Sequence, residues 1–425
     1  MRRSIASRSR RDDPRAWARI TVAAIDAART RSPALRERGA EAIYQIFFDA
    51  ALKRFDAFTR YNGQDSARDA RAQRDGFGGI GITIDTSSGD VRVASVMPET
   101  PAARGGIKVD DRITGIAGGS TAGMTARDVV RRLRGPIGDA IAVELRRGDE
   151  PALRTVTLVR AHIMPQTVTW RREGDVAIVR LTGFNHRTAD TLVETLAEAE
   201  RTVGPGIAGI VLDLRGNLGG LLDQSIAVAD AFLADGTIVS TRGRHRAASG
   251  LSTARPGDPG ERLPLVVLVN GGSASASEIV AAALQDNHRA VVIGSASFGK
   301  GSVQTVIALP NEGELVLTWA RFLAPSGYPL ADLGVRPTLC TSGGLEPQAA
   351  ILARVRAGTA HDEALIRRWH DADHDDLDGL KSLRATCPPE TAERDADVAL
   401  ARALLADRAL HAAALQPRGP LAAAE

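Results

Sequence analysis

Three serines crowd the segment Gly271-Gly272-Ser273-Ala274-Ser275-Ala276-Ser277-Glu278, where an apolar run gives way to a helical pattern. A serine at a strand-to-helix turn lies beside the unpaired N–H groups of the first helical turn and the positive end of the helix dipole, which together stabilise an oxyanion. Its hydroxyl is a poor nucleophile at neutral pH and needs a base. His288 follows the helix and is expected on its far side, which leaves Lys300. Lysine is rare in this chain, and Lys300 sits between Gly299 and Gly301 in a loop of small residues after an apolar strand. Burial in such a loop disfavours the ammonium form and lowers the pKa of the amine, so that it can act as a base. A surface lysine is the commonplace alternative, and residue types alone do not choose among the three serines.

These loops need a frame that brings them together. Val176–Leu181, Gly209–Leu214, Leu265–Val269 and Val291–Ile293 are nearly continuous apolar runs of the kind that form buried parallel strands, with Pro264 marking the start of the third. Thr188–Thr202 and about Ala276–Gln285 carry helical periodicity between them, so the expected architecture is an α/β domain with crossover helices. Three small-residue segments follow these strands: Arg215–Gly220, Gly271–Glu278 and Ser295–Ser302. Ligands of open α/β sheets collect beyond the carboxyl ends of the strands, so the three loops are expected to converge.

Upstream of that domain the texture differs. Gly78-Gly79-Ile80-Gly81-Ile82-Thr83-Ile84 reads as a glycine-rich turn feeding a strand, and Val91–Val96 as a second strand. Thr100-Pro101 starts a short helix that stops at Gly105-Gly106, and Asp110–Ile116 is a turn and strand. Thr125 caps a helix in capping-box style with Asp128, its buried stripe being Val129, Val130 and Leu133. Ala140–Arg146 and Leu153–Val159 complete the set of strands. Residues 33–58 read as helical, 62–75 as a polar linker, and 393–415 as a terminal helix.

Composition excludes several classes. Aromatic residues make up 4% of the chain, too few for stacking platforms on single-stranded nucleic acid, and a net charge of +3 over 425 residues indicates neither a nucleic-acid nor a membrane partner. No stretch approaches the ~20 apolar residues of a membrane crossing. The arginine-rich N-terminus shows no clear apolar core of an export signal, because Asp12, Asp13 and Asp26 interrupt it, so either the protein is cytoplasmic or this reading frame begins after an export signal. Cys340 and Cys387 show no C-x-x-C spacing, which argues against a zinc ribbon; they are a disulfide in an exported protein or two separate thiols in a cytoplasmic one.

Four motifs in order carry a resemblance. Leu212–Gly220, Ser273–Val280, Gln285-Asp286 and Phe298-Gly299-Lys300-Gly301-Ser302-Val303-Gln304 resemble the signature of the carboxyl-terminal processing peptidases, or tail-specific proteases, and the strands and helices of 76–160 resemble a PDZ domain. The likeness runs from about Phe55 to Thr338. It implies a crotonase-like, ClpP-like α/β protease core at 161–340, a PDZ domain at 76–160, a helical N-terminal segment with linker at 1–75 and a C-terminal helical extension at 341–425. It implies Ser275 as nucleophile and Lys300, twenty-five residues on, as base. Gln304 would orient the lysine, and Asp286 matches an acidic residue that some members require. Backbone N–H groups of Gly219 or Gly220 and of Ala276 would form the oxyanion hole. Gly79, Ile80, Gly81 and Ile82 match the loop that binds a peptide's C-terminal carboxylate. Leu218 stands where the family commonly has proline.

The implied activity is endoproteolysis of substrates with unstructured, partly apolar C-terminal tails, with no metal or organic cofactor, in the periplasm or cell envelope; an adaptor protein or homo-oligomer is a further implied partner. The alternative is a noncatalytic PDZ scaffold. A crotonase-like acyl-CoA enzyme is a weaker rival, since it leaves the PDZ module without a purpose.

Overall fold

The computed structural model describes residues 13–415 apart from 149, 151, 258 and 345. The chain divides into two units, residues 1–70 with 303–320 and residues 71–302 with 321–425.

In the first unit, Asp13 caps the helix Pro14–Arg31 by accepting from the Arg15 N–H at 2.9 Å, with Pro14 at the first helical position. The helical pattern at 33–58 resolves into Pro33–Arg36 and Ala40–Leu52. Arg60–Asn62 then pairs antiparallel with Glu314–Val316. The segment 62–75, expected as a linker, is instead the helix Gln64–Asp75. Its alanines, glutamines and arginines are strong helix formers, and Ala67 and Ala72 are buried, so a mostly polar stretch still has an apolar contact to anchor it.

In the second unit, Phe77–Gly79 pairs with Ala161–Ile163 and closes off a module whose sheet runs Ile82–Asp85, Arg92–Val96, Arg112–Ile116, Ala140–Arg146, Arg154–Val159. Ile80, Val93, Ile113, Val129, Leu133, Val143 and Leu158 form its core. The capping box is present as read from the sequence: Thr125 accepts from the Asp128 N–H at 3.3 Å while Asp128 accepts from the Thr125 N–H.

The same unit holds a six-stranded sheet in sequence order, while Thr237–Arg242 and Gly250–Thr253 pair with each other in a different sheet. Strands β1 (Val168–Glu173) and β2 (Val176–Leu181) are antiparallel, and β3 (Gly209–Asp213), β4 (Leu265–Val269), β5 (Val291–Gly294) and β6 (Leu339–Cys340) continue parallel to β2. Helix α1 (Thr188–Val203) joins β2 to β3, α2 (Leu222–Asp230) follows β3, and α3 (Ala276–Asp286) joins β4 to β5. Because β3, β4 and β5 are adjacent and parallel, the loops that follow them open at the same end of the sheet. The strand order never reverses, so convergence comes from this adjacency rather than from a topological switch point.

The C-terminal extension is no separate body. Helices α4 (Gln348–Arg356), α5 (Glu363–His370), α6 (Leu377–Arg384), α7 (Asp395–Leu405) and α8 (Arg408–Ala414) follow β6, and Ile351, Val355, Leu400, Leu404 and Leu410 share one hydrophobic core with Val211, Val266, Leu268 and Ile293 of the sheet. The terminal helix expected at 393–415 is broken in two, with Asp407 capping α8 through the Leu410 N–H. Cys340 and Cys387 form a disulfide that ties β6 to the segment between α6 and α7.

Candidate active site

Ser275 ends the loop after β4 and is the N-cap of α3, buried, with φ 58° and ψ −113°. A non-glycine residue in that region costs about 1–3 kcal/mol, so the surrounding contacts must hold it there. Ser273 and Ser277 are committed elsewhere. The Ser273 hydroxyl donates to the Leu214 carbonyl and the Ser277 hydroxyl to the Asn217 carbonyl, both at 2.8 Å. These two serines lace the loop after β4 to the glycine-rich loop after β3.

The glycine-rich loop is fixed from below. Arg215 forks onto Asp213 at 2.8 and 2.9 Å, and Asn217 donates to the Leu181 carbonyl at 2.9 Å. Gly219, at φ +100°, lies so close to the loop after β4 that an added Cβ would stand 2.7 Å from the Ala274 carbonyl oxygen and 2.9 Å from the Ser275 Cβ. Its N–H, however, donates to Asn217 Oδ1 at 2.9 Å. Of the N–H groups expected for an oxyanion hole, the Gly219 N–H is therefore already engaged within its own loop.

Lys300 ends the loop after β5. Gly299 adopts φ +92°, and a Cβ on Gly301 would stand 2.0 Å from the Ala331 nitrogen, so glycine is demanded on both sides of the lysine, by conformation on one and by packing on the other. The residue that joins the two loops is Glu278, in the first turn of α3 and fully buried. Its Oε2 accepts from the Ser275 N–H at 2.7 Å and the Lys300 N–H at 2.9 Å, and its Oε1 from the Ser297 hydroxyl at 2.5 Å and the Gly299 N–H at 2.6 Å. One carboxylate oxygen thus bridges the backbones of Ser275 and Lys300, and the two nitrogens lie within the sum of those bond lengths. Burial pushes the Glu278 carboxyl up against the pull of these four hydrogen bonds, and the balance leaves it raised. In the sequence Glu278 stands only as part of the motif Ser273–Val280. The signal that would have singled it out is the serine-x-x-glutamate spacing of a capping box, the pattern already used for Thr125 and Asp128.

Asp286 is not brought to Ser275. It is the last residue of α3, an 11-residue helix about 16 Å long, and accepts from the Ser326 N–H at 3.0 Å and the Ser326 hydroxyl at 2.6 Å. It braces the turn after Ala324. Gln304 lies half-buried on the strand Ser302–Ala308, within the first unit.

In the upstream module, the Ile80 carbonyl accepts from the Ala102 N–H and the Gly81 carbonyl from the Met97 N–H, both at 2.9 Å. In a trans peptide the N–H opposes the C=O, so the N–H groups of Gly81 and Ile82 are turned away from those partners. Gly81, at φ +82°, leaves no room for a side chain beside Thr100.

Among the described residues no helix is long and apolar enough to cross a membrane. Residues 175–340 match the profile of peptidase family S41, and residues 69–146 that of the PDZ domain. The chain is 41% identical over 290 residues to a carboxy-terminal-processing protease of Bartonella bacilliformis, an alignment that covers 68% of this chain and 67% of the relative. It is 28% identical over 310 residues to a probable CtpA-like serine protease of Staphylococcus epidermidis, covering 72% of this chain and 62% of that one. The chain thus spans about two thirds or less of the length of these relatives. Among solved structures, a photosystem II D1 C-terminal processing protease matches at 30% identity and a TM-score of 0.41, over 71% of this chain and 82% of that one. On the strength of the Bartonella match and the two family profiles, the chain belongs to the carboxy-terminal-processing serine proteases of peptidase family S41.

Proposed function

We propose that this chain is an endopeptidase that hydrolyses amide bonds through an acyl-enzyme on Ser275, with Lys300 as general base. The observation that carries the reading is the shared grip of Glu278 Oε2 on the Ser275 and Lys300 amides. Uncharged Lys300 takes the Ser275 hydroxyl proton as the oxygen attacks the scissile carbonyl. The resulting ammonium returns that proton to the leaving amine, and the neutral Lys300 then takes a proton from the water that attacks the acyl-enzyme and returns it to Ser275 as the acyl group leaves. Gly220 and Ala276 supply the oxyanion N–H groups in this proposal, because the Gly219 N–H is held by Asn217. Asp286 acts as a brace on the turn that holds Ser326. The noncatalytic-scaffold reading leaves the strained backbone of Ser275 without a purpose.

Substrates are proteins with unstructured, partly apolar C-terminal tails, whose terminal carboxylate is received by the N–H groups of Gly79–Ile82 in a PDZ domain spanning 76–160. The Cys340–Cys387 disulfide supports an oxidising compartment, the periplasm or cell envelope.

The test is digestion of unfolded casein and of a tail peptide by the wild type, Ser275→Ala and Lys300→Ala. The proposal expects cleavage by the wild type alone, faster for a free than for an amidated C-terminus. Equal rates for the two peptides would remove the carboxylate-reading role, and undiminished cleavage by Lys300→Ala would remove the dyad.

A further inference from the structure

Arg384 closes α6, in the extension beyond residue 340 where the match to the peptidase family ends. Its guanidinium donates through Nη1 to the Leu333 carbonyl and through Nη2 to the carbonyls of Ser297, at 3.1 Å, and Phe298, at 3.4 Å. A Cβ on Gly299 would lie 3.3 Å from Nη1, so the guanidinium rests against the residue immediately before Lys300. The loop that carries Lys300 is therefore held from both sides. The N–H groups of Gly299 and Lys300 point to the Glu278 carboxylate, and the carbonyls of Ser297 and Phe298 to the Arg384 guanidinium.

What keeps Arg384 there is the chain that follows it. Cys387, three residues on, is bonded to Cys340 at the end of β6. The Glu390 carbonyl accepts from the Gly271 N–H at 2.7 Å, the Glu390 N–H donates to the Ser295 hydroxyl at 3.1 Å, and the Thr391 carbonyl accepts from the Asn270 side chain at 2.9 Å. Residues 387–391 thus run as a strap across the carboxyl ends of β4 and β5, directly behind both loops of the dyad.

We propose that Arg384 is a positioning residue for Lys300, delivered by this disulfide-anchored strap, and that it also balances the negative charge beside the base. The charged groups around the guanidinium are Glu278 on α3 and Asp332 on the loop before β6, and the buried Tyr328 hydroxyl also senses Glu278. Without the guanidinium, Glu278, whose Oε2 accepts from the Lys300 N–H, and Asp332 lose the cation that offsets them, and the uncompensated charge favours the Lys300 ammonium, the form that cannot act as a base. The proposal rests on the Ser275–Lys300 reading above.

The experiment measures kcat and KM against pH for the full chain on a fluorogenic peptide with an apolar tail and a free carboxylate. The enzymes compared are the wild type, Lys300→Ala, Arg384→Met and Arg384→Lys. Arg384→Met is expected to lose at least tenfold in kcat with KM within twofold, and to move the acid limb of the kcat profile upward by half a pH unit or more. Arg384→Lys, which keeps the charge and loses the planar fork, is expected to restore the limb to its wild-type position and recover part of kcat. An Arg384→Met enzyme with an unshifted limb and less than a threefold fall in kcat overturns the proposal. If Arg384→Met fails to fold by circular dichroism, Arg384→Lys decides: a threefold or greater fall in kcat at constant KM supports the fork, and wild-type kcat overturns it. Activity retained by Lys300→Ala would instead reject the underlying dyad, whatever Arg384 does.

Discussion

Glu278→Gln exchanges one carboxylate oxygen for an NH2 group at the point where four donors converge. Oε2 receives the N–H groups of Ser275 and Lys300, so an amide with its NH2 on that side faces two donors; on the other side it faces the Gly299 N–H alone, because the Ser297 hydroxyl can turn to accept. A buried donor left without an acceptor costs about 1–3 kcal/mol, so the exchange costs about 1–6 kcal/mol against a total stability of about 5–15 kcal/mol. The variant should fold but melt several degrees lower. If about 2 kcal/mol of that loss falls on the alignment of Ser275 with Lys300, kcat drops about 30-fold. Glu278→Asp keeps the charge but withdraws it by one methylene, and should fall between wild type and Gln. The assay is steady-state cleavage of a tail peptide paired with thermal melts of each variant. A Glu278→Gln enzyme with kcat within threefold of wild type and an unchanged melting temperature would refute the reasoning, because four buried hydrogen bonds to one carboxylate cannot be altered at no cost.

Gly219→Ala places a methyl group against the Ala274 carbonyl and the Ser275 Cβ at a φ of +100°, so it should abolish peptide cleavage at least tenfold while circular dichroism stays native. In the PDZ module, burial pushes the Asp111 carboxyl up, but the Arg147 fork and the Lys108 N–H outweigh it and hold it below the ordinary carboxylate value. A depressed carboxylate contributes stability above its unfolded pKa and loses it as pH falls through the folded one. Asp111→Asn should therefore melt lower than wild type at pH 7, with the gap closing below about pH 4 in melts taken across that range; a gap that persists unchanged into acid would contradict this pairing.

Much of the frame was legible because its signals are local. The runs Val176–Leu181 and Leu265–Val269 became strands with the expected ends, since strands buried on both faces leave no room for polar interruption. The Thr125 box and the helix from Ala276 were equally plain. Residue types do not separate Ser275 from Ser273 and Ser277, because the distant carbonyls that the latter two hydroxyls reach leave no local pattern. Gln64–Asp75 reads as a linker because a polar composition hides a helix whose only buried residues are Ala67 and Ala72. The extension was opaque for a related reason. Its helices α4 to α6 are short, and what matters in them, such as Arg384 at Ser297, is a contact made 87 residues away along the chain.

The account turns on which atom carries the acyl group, and rapid-quench peptide mapping after mixing with an activated ester of a tail peptide reads this directly. The acyl mass should appear on Ser275 in the wild type and be absent from Lys300→Ala at the same quench time. Acyl mass on Ser273 or Ser277, or acylation of Lys300→Ala at the wild-type rate, would contradict it.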